Sequence, residues 1–116
     1  LGRDPSYYDL IVTGDLAKVG RDACYALLEE KGVHIGREKF LDCGLMIYKD
    51  EQPVHAGGSG SACCAVVTYG HLLKKMHEGV YRRILVVATG ALMSPLTYQQ
   101  KETIPCIAHA VSIEWI

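Results

Sequence analysis

The sequence lacks the features that would tie it to a membrane interior or to nucleic acid. No apolar run approaches the roughly 20 residues that a membrane-spanning helix needs. The longest strong candidate, Ile84 to Met93, is interrupted by Thr89 and Gly90. No signal peptide is visible. Neither sign of charge is in excess: 12 Lys and Arg stand against 13 Asp and Glu, for a net charge of −1. No basic field therefore exists to hold a phosphate backbone. The short pairs Lys74-Lys75 and Arg82-Arg83 read as solvated helix ends, and no nucleic-acid partner is expected. There is no C-x-x-C, no H-x-x-x-H, no Walker A and no G-x-G-x-x-G. Neither a zinc site nor a dinucleotide fingerprint is therefore expected.

What is present is a chain of 116 residues with 49% apolar and 22% charged residues and a mean hydropathy of +0.10. That composition is globular rather than disordered. The length fits one domain, near the low end for a self-sufficient core. The chain opens on Leu1 rather than Met, and Leu1–Tyr8 does not look like a natural start. It is expected to be a piece of a larger protein. Cys24, Cys43, Cys63, Cys64 and Cys106 make an odd count, read as reduced thiols. Cys63 and Cys64 lie in an apolar helical run, where cysteine packs as a small hydrophobe.

The pattern is of the α/β kind. Tyr8–Thr13 reads as a buried strand ended by Gly14. Asp15 is placed to cap a helix over Leu16–Lys31, with Leu16, Val19, Ala23 and Leu27 on its apolar face and Gly32 as the stop. His34–Lys49 is irregular: Asp42-Cys43-Gly44 looks like a turn and Leu45–Tyr48 a short strand or helix. Ser61–Leu73 carries no formal charge and is apolar nearly all round, so the helix is expected to be buried on most sides. A chain this short has little to cover it with. Arg83–Thr89 reads as a central strand, Gly90–Cys106 as a loop, and Ile107–Ile113 as a closing strand.

Two places carry candidate chemistry. Gly57-Gly58-Ser59-Gly60-Ser61 follows a probable strand and opens the charge-free helix. Free N–H groups there suit an anion or oxyanion. The same glycines equally suit a tight turn that brings a buried helix close to the sheet. His109, on the closing strand, is placed to face a pocket or to be a satisfied structural histidine. His71 and His77, six apart, do not share a helix face. Cys106 and His109 fall on opposite faces of a strand and make no dyad.

The order of elements resembles the C-terminal half of thiolase-like (ketoacyl-synthase-like) condensing enzymes. That family packs two similar halves in five αβαβα layers, with a mixed sheet and a buried helix in this half. Gly57–Val67, Ile84–Pro95 and Glu102–Val111 resemble, more specifically, the stage V sporulation AD family of spore-forming Firmicutes. The resemblance implies that residues 1–116 form a C-terminal thiolase-like half-domain whose N-terminal half lies outside this sequence. The catalytic histidine of ketoacyl synthases falls at Gly14 and their catalytic asparagine at Gly58, so no catalytic residue is expected. No histidine lies between Leu1 and Gly32. The resemblance further implies binding of dipicolinic acid and support of its uptake into the developing spore, beside membrane proteins of the same sporulation transport system. It implies a homodimer and a place in the cytoplasm or against the inner spore membrane. It implies no cofactor beyond calcium accompanying the dipicolinate. The alternative is an acyltransferase or condensing enzyme using Cys63, Cys64 or Cys106. Gly57, Gly58, Ser59, Gly60, Ser61 and His109 are the candidate ligand-binding residues, and no metal ligand is expected.

Overall fold

The run Leu10–Thr13 becomes strand β1 and the centre of the fold. The computed structural model describes residues 2–116. Strands β1 (Leu10–Thr13), β2 (Phe40–Asp42), β3 (Arg83–Ala91) and β4 (Cys106–Glu114) form one sheet in the order β2-β1-β3-β4. Strand β1 runs parallel to both β2 and β3, and β4 closes the sheet antiparallel to β3, with Val86 opposite Val111. This is the mixed sheet of the expected α/β class. The strand at Phe40–Asp42 was not foreseen, because three residues ending in a carboxylate carry no strand periodicity.

Alternation along the strands sorts the core onto two faces. Leu10, Val12, Ile84 and Val86 point to one side and meet Cys63, Val67, Leu72 and Met76. Ile11 points to the other and meets Tyr8, Ile35 and Phe40, with Cys24, Tyr25 and Leu28 packed alongside. The first face is covered by a helical stretch of three parts. These are α3 (Cys63–Val67), a π-helical turn (Thr68–Leu72) and α4 (Leu73–His77). The second is covered by α1 (Ala17–Glu30). A short α2 (Cys43–Met46) follows β2 directly, in place of the expected turn at Asp42–Gly44.

Both helical faces differ from those read from the sequence. On α1 the inward side is Cys24, Tyr25 and Leu28, while Val19 and Leu27 are exposed. Along α3 and the π turn, Val67, Thr68 and Leu72 are buried, while Val66 is 55% and Tyr69 74% exposed. The wider π turn rotates the side chains after it relative to a uniform 3.6-residue period. The expected burial on most sides therefore holds for one side only within this chain. The loop Gly90–Cys106 is also more ordered than expected: β3 runs on to Ala91, and α5 (Pro95–Gln99) follows, with Pro95 in its first turn.

The start of α1 depends on a side chain from β2. Asp42, 1% exposed, accepts hydrogen bonds from Thr13 Oγ1 (2.6 Å), the Leu16 N–H (2.9 Å) and the Ala17 N–H (2.9 Å). It satisfies donors that a helix start leaves open, the role the sequence assigns to Asp15. Ala17 sits there with φ of 55°, a left-handed conformation that costs an alanine about 1–2 kcal/mol. The Asp42 bonds hold it in place.

Replacing Asp42 by Ala leaves the part-buried Leu16 and Ala17 N–H groups without their acceptor and the Thr13 hydroxyl with only its longer bond to the Leu41 carbonyl, and is expected to cost about 2 kcal/mol. Asp42→Asn turns an amide N–H toward other donors and is expected to cost somewhat less. Urea denaturation of the full-length protein, with exposed Asp50→Ala as the control, measures both. A loss below about 0.5 kcal/mol for Asp42→Ala would refute the role, since that is the scale of an ordinary surface change.

Candidate functional site

The carboxyl ends of β1 and β3 meet where the chain order reverses: β2 lies on one side of β1 and β3 on the other. In open α/β sheets this reversal leaves a crevice at the strand ends, the usual place for a ligand. Here the β1–α1 turn carries Asp15, and Thr89 stands near the end of β3. Thr89 Oγ1 donates to Asp15 Oδ1 (3.0 Å) and accepts from the Asp15 N–H (3.0 Å). The second carboxylate oxygen, Oδ2, accepts from Ser59 Oγ (3.1 Å) and from the Gly60 N–H (3.0 Å). One carboxylate thus joins the β1–α1 turn, β3 and the glycine-rich loop.

An open cavity of about 570 Å³ lies against this cluster. Asp15, Ser59 and Thr89 form its polar wall, and Leu16, Met93, Ile107 and Ala108 its apolar walls. Cys106 also lines it. No Lys, Arg or His is among its lining residues.

The candidate residues from the sequence divide between several roles. Ser59 reaches the cavity and Gly60 donates to Asp15. Gly57 and Gly58 pack against Gly44, with the Gly58 N–H donating to the Gly44 carbonyl at 2.6 Å. Ser61 is exposed and lines a separate groove with Ile47, Tyr48 and Val66. His109 is exposed on β4, opposite Ala88, and does not line the cavity at Asp15. No strand leads directly into Gly57, since residues 47–56 form none, and the helix begins at Cys63 rather than Ser61. The expected free N–H groups are in part engaged: those of Gly58 and Gly60 already have acceptors within the chain. Asp15 and Thr89 went unrecognised as site residues. Their signal was positional: Asp15 follows β1, and Thr89 lies near the carboxyl end of β3.

Gly14 is buried where a side chain has no room. A Cβ there would lie 2.8 Å from the Thr89 backbone N and 2.9 Å from Thr89 Oγ1. At Gly58 a Cβ would meet Ile47 Cγ2 at 2.9 Å and Tyr48 at 3.2 Å. Neighbours thus crowd both positions that the resemblance aligns with catalytic side chains.

The thiols differ in environment. Burial pushes the Cys43 thiol well above its ordinary range, and neighbouring Cys64 and the Asp42 carboxylate act in the same direction. Burial also raises Cys63, reinforced by the Asp15 and Asp42 carboxylates. Since the thiolate is the nucleophile, both are poorly suited to attack. Cys106 is exposed, and its Sγ donates to the Ile104 carbonyl at 3.4 Å.

Two outcomes follow. Gly14→Ala is expected to lower stability by about 1–3 kcal/mol through overpacking against β3, read from chemical denaturation; an unchanged midpoint would show that Thr89 yields easily. Brief iodoacetamide treatment near neutral pH is expected to label Cys106 while Cys43 and Cys63 stay unmodified, as peptide mass spectrometry would report. As the pH rises, Cys63 is expected to label later than Cys106 and Cys43 last, because burial raises both thiols and raises Cys43 far. Early labelling of Cys63 would contradict that.

The chain can now be set beside known proteins. The family model described as stage V sporulation protein AD (SpoVAD) matches residues 1–114. Stage V sporulation protein AD of Bacillus subtilis (strain 168) is 55% identical over 114 residues, which cover 98% of this chain and 33% of that relative. The chain thus spans about a third of the relative's length. A family match across nearly every residue, on a mixed sheet of the class expected, leads to one conclusion: the chain belongs to the stage V sporulation protein AD family.

Proposed function

We propose that this chain is the second half of a two-half, thiolase-like binding protein of sporulation. It takes dipicolinate without covalent catalysis and supports its uptake into the developing spore. Family membership carries the sporulation role. The observation that supports binding over catalysis is Gly14. The position aligned with a catalytic histidine is filled by the Thr89 backbone and hydroxyl, so neither a base nor an oxyanion donor fits there. What stands beside it is a cavity with the Ser59 and Thr89 hydroxyls and the Asp15 carboxylate on one wall and apolar surface on the others. Such a wall suits a flat ring bearing carboxylates. The raised Cys43 and Cys63 thiols weigh against an acyl-enzyme route.

The remaining expectations belong to the same proposal: membrane proteins of the same sporulation transport system as partners, and a homodimer. The exposed apolar residues Val66, Tyr69, Ile107 and Val111 support burial of this half against another body. Expressed alone, residues 1–116 are expected to self-associate, as light scattering would show. A monodisperse monomer with cooperative unfolding would count against the two-half reading.

Calorimetry on the full-length protein tests the ligand, and mass spectrometry after incubation with acyl-CoA donors tests the chemistry. Saturable dipicolinate binding with no acyl adduct is the expected result. A stoichiometric thioester that turns over, with no dipicolinate affinity, would establish the acyltransferase instead.

A further inference from the structure

The Ser59 hydroxyl on the cavity wall, and the Gly60 N–H next to it in the chain, already hold a carboxylate. Ser59 Oγ and the Gly60 N–H both give their hydrogen bonds to Asp15 Oδ2. The other oxygen, Oδ1, is held separately by Thr89. Asp15 can therefore release the loop pair and keep its attachment to β3. The loop has the means to move. Gly60 has φ of 131° and Gly57 of 122°, conformations open to glycine. Nothing lies within 4 Å of a Cβ built at Gly60. Ser59 and Gly60 are both exposed.

Each N–H or O–H carries one hydrogen, so a ligand carboxylate and Asp15 cannot both take it in full. No cation lines the cavity to let two carboxylates lie side by side. Resting on the reading that this site binds a carboxylate ligand, we infer that Asp15 is a built-in competitor. It occupies the Ser59–Gly60 donor pair in the empty protein and must yield that pair when a carboxylate ligand enters. The bound affinity is thereby set below what the donors alone would give. The site then selects ligands that bring enough ring contact with Leu16, Met93 and Ile107 to offset the exchange. A small carboxylate without a ring does not.

The competitor role predicts an unusual sign. Removing a polar residue from the wall of a site normally weakens binding. Here Asp15→Asn and Asp15→Ala are expected to bind dipicolinate about tenfold more tightly, the scale of one charge-assisted hydrogen bond released to the ligand. Ser59→Ala is expected to bind it more weakly. Calorimetry on the full-length protein, with dipicolinate and benzoate as probes, reads this. The isosteric Asn variant, with its thermal midpoint compared to wild type, guards against a folding artefact. As a measurement that needs no variant, hydrogen exchange in wild type is expected to change across residues 57–62 when dipicolinate is added. Unchanged or weaker binding in a folded Asp15→Asn protein would overturn the inference, as would exchange at 57–62 that ignores the ligand. Wild-type binding with no response to Asp15 substitution would refute the competitor and leave the functional reading standing. No affinity for either probe in wild type or variant would refute both.

Discussion

The Asp42 carboxylate is the interaction on which the rest of the site depends. It sits at the end of β2, buried, and takes the Leu16 and Ala17 N–H groups that begin α1. A helix start ordinarily finds its acceptor in the residue just before it. Asp15 is that residue by type, and sequence reasoning gave it the role. Because a neighbouring strand supplies the acceptor instead, Asp15 is released to turn the other way, toward β3 and the glycine loop. The left-handed Ala17 is the local cost of entering the helix by this route. Two carboxylates thus divide the work at the end of β1: one closes the helix, and the other reaches the cavity.

Close backbone approach is the second constraint. Gly14 lets the β1–α1 turn lie against Thr89, and a side chain there would push β3 away. On the far side of the turn the Gly58 N–H meets the Gly44 carbonyl at 2.6 Å. The glycine-rich loop is therefore fastened at Gly58 and open at Gly60. That gradient explains why one loop served both sequence readings, a tight turn and a ligand-facing surface. Its first half packs, and its second half faces solvent and Asp15.

The strands and the fold class were legible because they rest on signals that a single chain carries. Leu10–Thr13 and Arg83–Thr89 are continuous apolar runs, and they became parallel neighbours in the core. The closing strand at Ile107–Ile113 was found within a residue at each end. The helix at Ala17–Glu30 was placed within a residue at each end, although its inward face was not. That face failed because Cys24 and Tyr25, which pack inward, weigh less in a hydrophobic pattern than Val19 and Leu27, which do not. The π turn at Thr68–Leu72 has no sequence period to announce it, and a helix apolar nearly all round did not show which one side would be buried. Asp15 and Thr89 stayed hidden for a different reason. They are 74 residues apart, and only the parallel pairing of β1 and β3 brings them together. Of the residues lining the cavity, the sequence had marked Ser59 as a ligand candidate and Cys106 as an alternative nucleophile, each by type and local pattern rather than by a place in the sheet.

The exposed apolar surface connects these points to the molecule's larger setting. Strand β4 pairs with β3 along its whole length, yet Cys106–Val111 is exposed on both faces. Its inner end is different: Ile113 packs against the main core. The sheet therefore outruns the helices that cover it, and it does so at the end that forms the cavity's apolar wall. Tyr69 and Val66 are exposed as well, on the helix side. Isolated apolar side chains on a surface need no explanation, but a run of them along a strand does. If another part of the protein packs on this surface, it also narrows the opening beside Cys106, Ile107 and Ala108. The same contact would then both bury the surplus apolar area and complete the walls around a ligand. Stability and binding would not be separable properties of this half, since the donors at Ser59 and Gly60 belong to one side of a site whose apolar wall carries the surface that needs covering.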